Sequence, residues 1–330
     1  MWAFLALGSK EGHVLLNVRT GERIPLPDID SGQPTSRRRA VRDDNGVVQS
    51  YQRLWLWGPR RPVKILAATL SSAPAVDGKC IAGAILNVQE PEGPGKWPHV
   101  CFWRLGSQIA IHPLDLCRDV GWSAQDIGYF NGRFFVLTKG ENLRAYTVAV
   151  LDEPDPLTGW DLGTRAVVFY YIGRREKAEP RAGYLVESRG ELLMVVKEWM
   201  PDDGATSCVR LFALTPVEHP DHPDLSLAWT AVRSLDGRLL VVSHACSRAY
   251  ECADFPSGCV EEGVYFLDDR TYYNETYYEP FFPMQSNPGE FAYADNGRCC
   301  LLPARPEHCF PMKPGEGSFS TYSPPVWLLP

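Results

Sequence analysis

Residues 181–199 read RAGYLVESRGELLMVVKEW, residues 208–215 read CVRLFALT, and residues 225–243 read LSLAWTAVRSLDGRLLVVS. Short runs rich in Val, Leu and aromatic residues follow one another, each bounded by Gly, Asp, Pro or Ser, and none is long enough for a core helix. That pattern marks strands separated by tight turns. ELLMVV and RLLVVS are almost continuously apolar, the texture of strands buried on both faces, whereas LAWTAVRSL alternates as an outer strand does. The stretch carries no catalytic motif.

The same texture recurs along the chain. WAFLALGS and HVLLNV pair across a Lys10-Glu11-Gly12 turn, and YQRLWLWG returns after a polar segment, residues 28–50, that reads as a long surface loop. VKILAATLSS, CIAGAILNV, HVCFWRLG and QIAIHPL follow, then AQDIGYF, RFFVLT, LRAYTVAV and RAVVFYYI. Asn131-Gly132 between two apolar runs is a strong hairpin signal, and Arg189-Gly190 reads as a turn of the same kind. Asp236-Gly237 reads instead as a link between repeats. After RLLVVSHA come GVYFLDD, EFAYADN and RCCLLP.

The first strands of these repeats start at Trp2, Val63, Ala124, Arg181 and Arg238, in steps of 61, 61, 57 and 57 residues. Each step holds about four strands of ordinary length. A four-stranded unit repeated at a near-fixed period predicts an all-β fold, a β-propeller of four-stranded antiparallel blades, five or six in number, forming one domain over residues 1–330. A two-sheet sandwich satisfies the alternation equally; the regular step favours blades. The terminal PVWLLP, residues 325–330, is expected to pair back near the N-terminus, because an open ring leaves exposed sheet edges.

Composition sets limits on function. The chain has 330 residues, 45% of them hydrophobic, with 28 Gly, 28 Pro and a net charge of −7. An acidic chain without a dominant basic face disfavours a nucleic-acid partner. The cluster Arg37, Arg38, Arg39 and Arg42 is followed by Asp43 and Asp44 and reads as a solvated loop. The apolar N-terminus lacks the basic start of a secretory signal, and no run reaches the roughly 18 apolar residues of a membrane span. A cytoplasmic or nuclear location without membrane contact is expected, with the sequon at Asn274 idle. The ten cysteines are then expected to be reduced; Cys80, Cys101, Cys117 and Cys208 lie in or beside apolar runs, where Cys acts as a small hydrophobe.

Few residues suggest chemistry. His244, Cys246, Cys252 and Cys259 have one, five and six residues between them, without the close Cys pairs of structural zinc sites. Glu261 and Glu262 with Asp268 and Asp269 flank GVYFL but lack the spacing of a calcium loop. Ser243 and His244 are adjacent, so on a strand their side chains point to opposite faces. His219 and His222 lie in a Pro-bounded surface loop. Nucleophile-elbow, phosphate-loop, zincin and dinucleotide motifs are absent. No catalytic residue, metal or cofactor is therefore assigned. The segment TYYNETYYEPFFP, residues 271–283, stands apart: Tyr272, Tyr273, Tyr277, Tyr278, Phe281 and Phe282 are the side-chain types that anchor protein interfaces, although a loop folded over the core would use them too.

Several segments together resemble the plant F-box-associated β-propeller domain, also catalogued as domain of unknown function 295. They are GHVLLNVRTGERIPLP, QDIGYFNGRFFVLTKGENLRAYTV, GYLVESRGELLMVVK with CVRLFALT, LAWTAVRSLDGRLLVVSHACS, GVYFLDD and the terminal PPVWLLP, in order over most of the chain. The resemblance implies a non-enzymatic propeller that recognises a protein, as the substrate-recognition domain of F-box proteins does in cullin-type ubiquitin ligases. It brings no catalytic residues. This sequence opens directly in propeller strands with no F-box helical module ahead of them, so docking to the ligase adaptor is not expected. Two alternatives stand beside this reading: an enzyme using the channel mouth of a propeller, and a diverged copy without a partner.

Overall fold

Strand length and turn chemistry set the architecture. The computed structural model describes residues 2–6, 13–26, 38–42, 48–55, 63–74, 79–88, 98–107, 110–113, 124–138, 140–150, 162–168, 170–171, 181–199, 206–217, 226–243, 247–256, 259–267 and 297–300. Within them the only helical element is a single 3-10 turn, Cys252–Asp254; the rest is strand and turn, as an all-β fold requires. The chain falls into two compact units, one of residues 1–136, 144–167 and 330, the other of residues 137–143 and 168–329.

In the first unit, β1 (Trp2–Ala6), β2 (His13–Asn17) and β3 (Arg23–Pro25) form an antiparallel sheet in that order. A second sheet holds β4 (Arg38–Arg42), β5 (Val48–Trp55), β6 (Val63–Leu70), β7 (Ile81–Val88), β8 (Pro98–Arg104) and β9 (Ala110–Pro113). Its order is β4-β5-β9-β8-β7-β6. A third contains β10 (Ala124–Phe130), β11 (Arg133–Thr138), β12 (Leu143–Val150) and β13 (Leu162–Val168), in sequence order.

The period-two alternation of a strand divides the second sheet into two apolar faces. Ala82, Ala84 and Leu86 of β7 and Cys101 and Trp103 of β8 join Leu15 and Leu26 in one core, against which Phe4 and Ile24 pack. The Phe4 and Trp103 rings meet edge to face at 6.5 Å. The intervening residues serve the other face. Phe102 lies 5.1 Å from the Phe134 ring and 5.3 Å from Tyr146. Gly83 permits that approach, since a Cβ there would stand 2.8 Å from a Phe134 ring carbon.

The second unit holds β14 (Tyr170–Tyr171), β15 (Arg181–Ser188), β16 (Glu191–Trp199), β17 (Thr206–Pro216) and β18 (Ser226–Val232), ordered β14-β18-β17-β16-β15. Beside it lies a sheet of β19 (Arg238–Val242), β20 (Arg248–Glu251), β21 (Gly263–Phe266) and β22 (Gly297–Cys299), ordered β20-β19-β21-β22.

All five expected repeat starts begin a strand: β1, β6, β10, β15 and β19. The two apolar runs expected to be buried on both faces are so, with every residue after the first buried in β16 and all five buried in β19, and β11 shares the pattern. Asn131 and Gly132 (φ 45° and 77°) and Arg189 and Gly190 (52° and 74°) are two-residue turns with both residues left-handed, the twist that suits a hairpin. Asp236 and Gly237 share the conformation yet lead from β18 in one sheet to β19 in the next, the link that the sequence suggested.

Three expectations are corrected. The described strands form sheets of three, six, four, five and four, so four per sheet holds for two of the five. One extra strand of the six comes from the supposed loop 28–50, because residues 38–42 form β4, paired with β5, and β5 itself, the expected YQRLWLWG strand, joins this sheet rather than that of β1. The arginines of β4 disguised it; edge strands carry charge, which discourages pairing with other chains. Finally, pairing is not antiparallel throughout. β14 runs parallel to β18, and β19 runs parallel to β21. In the latter case β20 folds back to one edge of β19 and the chain crosses over through residues 252–262 to the other. The terminal PVWLLP lies outside the described residues.

Candidate functional site

Tyr272, Tyr273, Tyr277, Tyr278, Phe281 and Phe282 all lie outside the described residues, as do Cys117, His219, His222, His244, Cys246, Asp268 and Asp269. Of the proposed thiol group, Cys252 is half-buried and Cys259 exposed. Burial, reinforced by the carboxylates of Glu262 and Glu251, pushes the Cys252 thiol above its usual range; a neutral thiol is a poor nucleophile and metal ligand. Among the described residues no three His, Cys, Asp or Glu side chains are grouped to hold a metal ion. Cys80 and Cys101 are buried, Cys208 half-buried. Ser243 is buried, and its hydroxyl has no partner among the described residues.

Glu261 and Glu262 each accept a hydrogen bond within the fold. Glu261 pairs with the Arg298 guanidinium, which also lies over the Tyr265 ring. Hydrogen bonding to the Tyr265 hydroxyl, then to Glu261, pushes Arg298 above its usual range. Glu262 accepts a 2.5 Å hydrogen bond from the Gly237 amide. That bond belongs to a larger charged corner.

The corner gathers the β15–β16 turn, the link into β19 and the end of β20. Arg189 donates from Nε to one Glu251 oxygen at 2.8 Å and from Nη2 to the other at 2.5 Å. Its Nη2 also donates to the Asp236 carbonyl at 2.8 Å. Arg238 is buried; its Nη1 lies 3.4 Å from Glu191 and its Nε donates to the Leu235 carbonyl at 2.7 Å. The Cys252 amide donates to the Gly237 carbonyl at 2.9 Å, and Ser234 donates to Asp236 at 2.5 Å. The hydrogen bond from Arg189 holds the Glu251 carboxyl below the usual range, and Arg189 is raised in return. Every carboxylate named here meets an arginine, an amide or a hydroxyl.

Deeper in the same unit, Lys197 of β16 is fully buried. Its Nζ donates to the Leu267 carbonyl at 3.1 Å and stands 5.1 Å from the centroids of both Trp199 and Phe266. A buried ammonium needs such partners, because desolvation is costly, and aromatic faces attract cations. The next residue, Glu198, pairs with Arg210 at 3.1 Å. Sequence reasoning missed both the corner and Lys197. The one available signal was Arg189, an arginine where the matching turns carry Asn131 and Asp236.

The described surface offers little apolar contact area. Val18, 41% exposed, is the only exposed large hydrophobic residue among the described ones. Among them, too, no helix is long and apolar enough to cross a membrane.

A family model described as KIB1-4 beta-propeller matches residues 1–290. No curated protein matches the chain, and no solved structure does.

Proposed function

Because the chain belongs to the KIB1-4 beta-propeller family, we propose that it is a non-enzymatic protein-binding module, with sheets that serve as a scaffold and loops that do the recognising. The supporting observation is the distribution of apolar side chains. The strands bury theirs, and among the described residues only Val18 is large, apolar and exposed. Interfaces draw their energy from a few anchors, chiefly Tyr, Trp and Arg, and loops on a rigid scaffold commonly carry them. The six aromatics of residues 271–283 are the anchors of this reading. In its finer form the partner is a protein substrate, bound as by the recognition domain of an F-box ubiquitin-ligase subunit. Nucleic acid and membranes are not partners in this reading.

Affinity capture from a plant cell extract tests it, with wild type set against a chain carrying Ser at Tyr272, Tyr273, Tyr277, Tyr278, Phe281 and Phe282. The expected result is a set of proteins retained by wild type and lost from the variant, while both chains unfold at the same temperature. Identical capture by the two would overturn the reading.

A further inference from the structure

The first position of a turn with two left-handed residues favours Asn, Asp or Gly, because other side chains crowd the backbone there. Asn131 and Asp236 obey that rule, and Arg189, at φ 52°, breaks it. A strained position persists where the surrounding structure fixes it. What arginine supplies and asparagine lacks is reach. The Arg189 guanidinium crosses to the neighbouring sheet, where it grips both oxygens of Glu251 and the Asp236 carbonyl. In the reverse direction, Arg238 at the start of β19 reaches Glu191 at the start of β16. Two arginines thus clasp two glutamates across one seam, in opposite senses.

We propose that this corner is an electrostatic latch: the Arg189–Glu251 pair holds the β20 edge of one sheet against the β15 edge of its neighbour, and breaking the pair frees β20 while β16 stays folded. β20 is suited to independent release. It spans four residues, none of them buried, and among the described strands it is hydrogen-bonded to β19 alone. β16, by contrast, lies between two strands and is buried along nearly its whole length. The pair is 42% and 40% exposed at its two side chains, so dissolved ions can screen it. Isolated surface pairs contribute little, but a bidentate arginine–carboxylate with a further carbonyl is the favourable geometry. The charged or titratable groups around it are Asp236, Arg238, Glu191, Glu262 and Cys252. Since hydrogen bonding to Arg189 depresses the Glu251 carboxyl, salt at neutral pH, or strong acid, is what releases the latch.

Hydrogen exchange at the amides of residues 248–251, read against residues 191–199 in the whole chain, tests the proposal. Arg189→Asn is the informative variant, because asparagine suits the turn and any loss cannot come from the backbone. Exchange at residues 248–251 should rise about threefold in Arg189→Asn and in Glu251→Gln, and no further in the double variant, the scale of a well-formed surface pair. Wild type should approach the variants as salt nears about 1 M, where the screening length falls to about 3 Å. Residues 191–199 should not respond. Unchanged exchange in Arg189→Asn, equal salt dependence in variant and wild type, or additive single effects would each overturn the latch. So would a parallel rise in residues 191–199, which would mean that the region opens as one.

Discussion

The two compact units solve one problem, packing a sheet against its neighbour, by opposite means. In the first, Phe102, Phe134 and Tyr146 interdigitate over Gly83. In the second, charges are set into the seam: Lys197 lies against Trp199 and Phe266, and arginine–glutamate pairs stand at the corner. An apolar seam derives its energy from area and is indifferent to direction. A charged seam depends on geometry, because a buried charge that loses its partner is costly. The first seam should therefore tolerate a change of shape that keeps volume, and the second should be sensitive where a buried charge, such as that of Lys197, loses its partner. Salt should separate them as well, since screening acts on exposed pairs and not on ring contacts.

The largest effect is expected at Phe134, which is fully buried. Truncation to Ala removes ring contacts with Phe102 and Tyr129 and leaves a cavity, at a cost of about 3–5 kcal/mol. Denaturant titration measures this, and a loss below about 1 kcal/mol would show that the first seam is not the tight one.

Next comes Lys197→Met, which keeps the length of the stem but removes the ammonium. If Lys197 were only a hydrophobic stem, methionine would be neutral or stabilising. If the charge fixes the seam, the Leu267 carbonyl loses this donor, at about 1–3 kcal/mol. The sign of the measured change decides between the two.

Gly83→Ala should cost about 1–2 kcal/mol, because the new methyl collides with Phe134 and the sheets must part. The double variant with Phe134→Leu tests the cause: the penalties should sum to less than the two alone. Additive penalties would place the strain elsewhere.

These contrasts also explain what the sequence made legible. Strand starts at Val63, Ala124, Arg181 and Arg238 were readable because turn residues and apolar runs are local signals. β4 was not, since a strand written RRAVR at a sheet edge looks like a loop. The parallel pairings of β14 with β18 and β19 with β21 were hidden because the choice of partner is non-local. The charged corner was hidden for the same reason, Arg189 and Glu251 being 62 residues apart. Lys197 carried no signal, because the Leu267 carbonyl and the Phe266 ring that enclose its ammonium come from a neighbouring sheet.

The smallest effect is also the one with a distinctive pH dependence. Glu251 is partly exposed, yet the hydrogen bond from Arg189 lowers its carboxyl below the ordinary value of 4.5. A group depressed in the folded state stabilises that state above its unfolded value, and the benefit disappears as pH falls through the lower folded one. Glu251→Gln removes the charge while keeping the shape, so it should be less stable than wild type at neutral pH. The gap should persist unchanged down to about pH 5 and close below about pH 4, where the unfolded carboxyl takes up its proton first. In Arg189→Asn the same Glu251→Gln substitution should produce almost no gap at any pH, because the depression has lost its largest cause. Midpoints of denaturant unfolding across that range, for the four chains, test both statements. A gap that survives in Arg189→Asn would assign the effect to Arg238, the other cation that lowers Glu251, and would move the working pair of the charged seam to the opposite side of the corner.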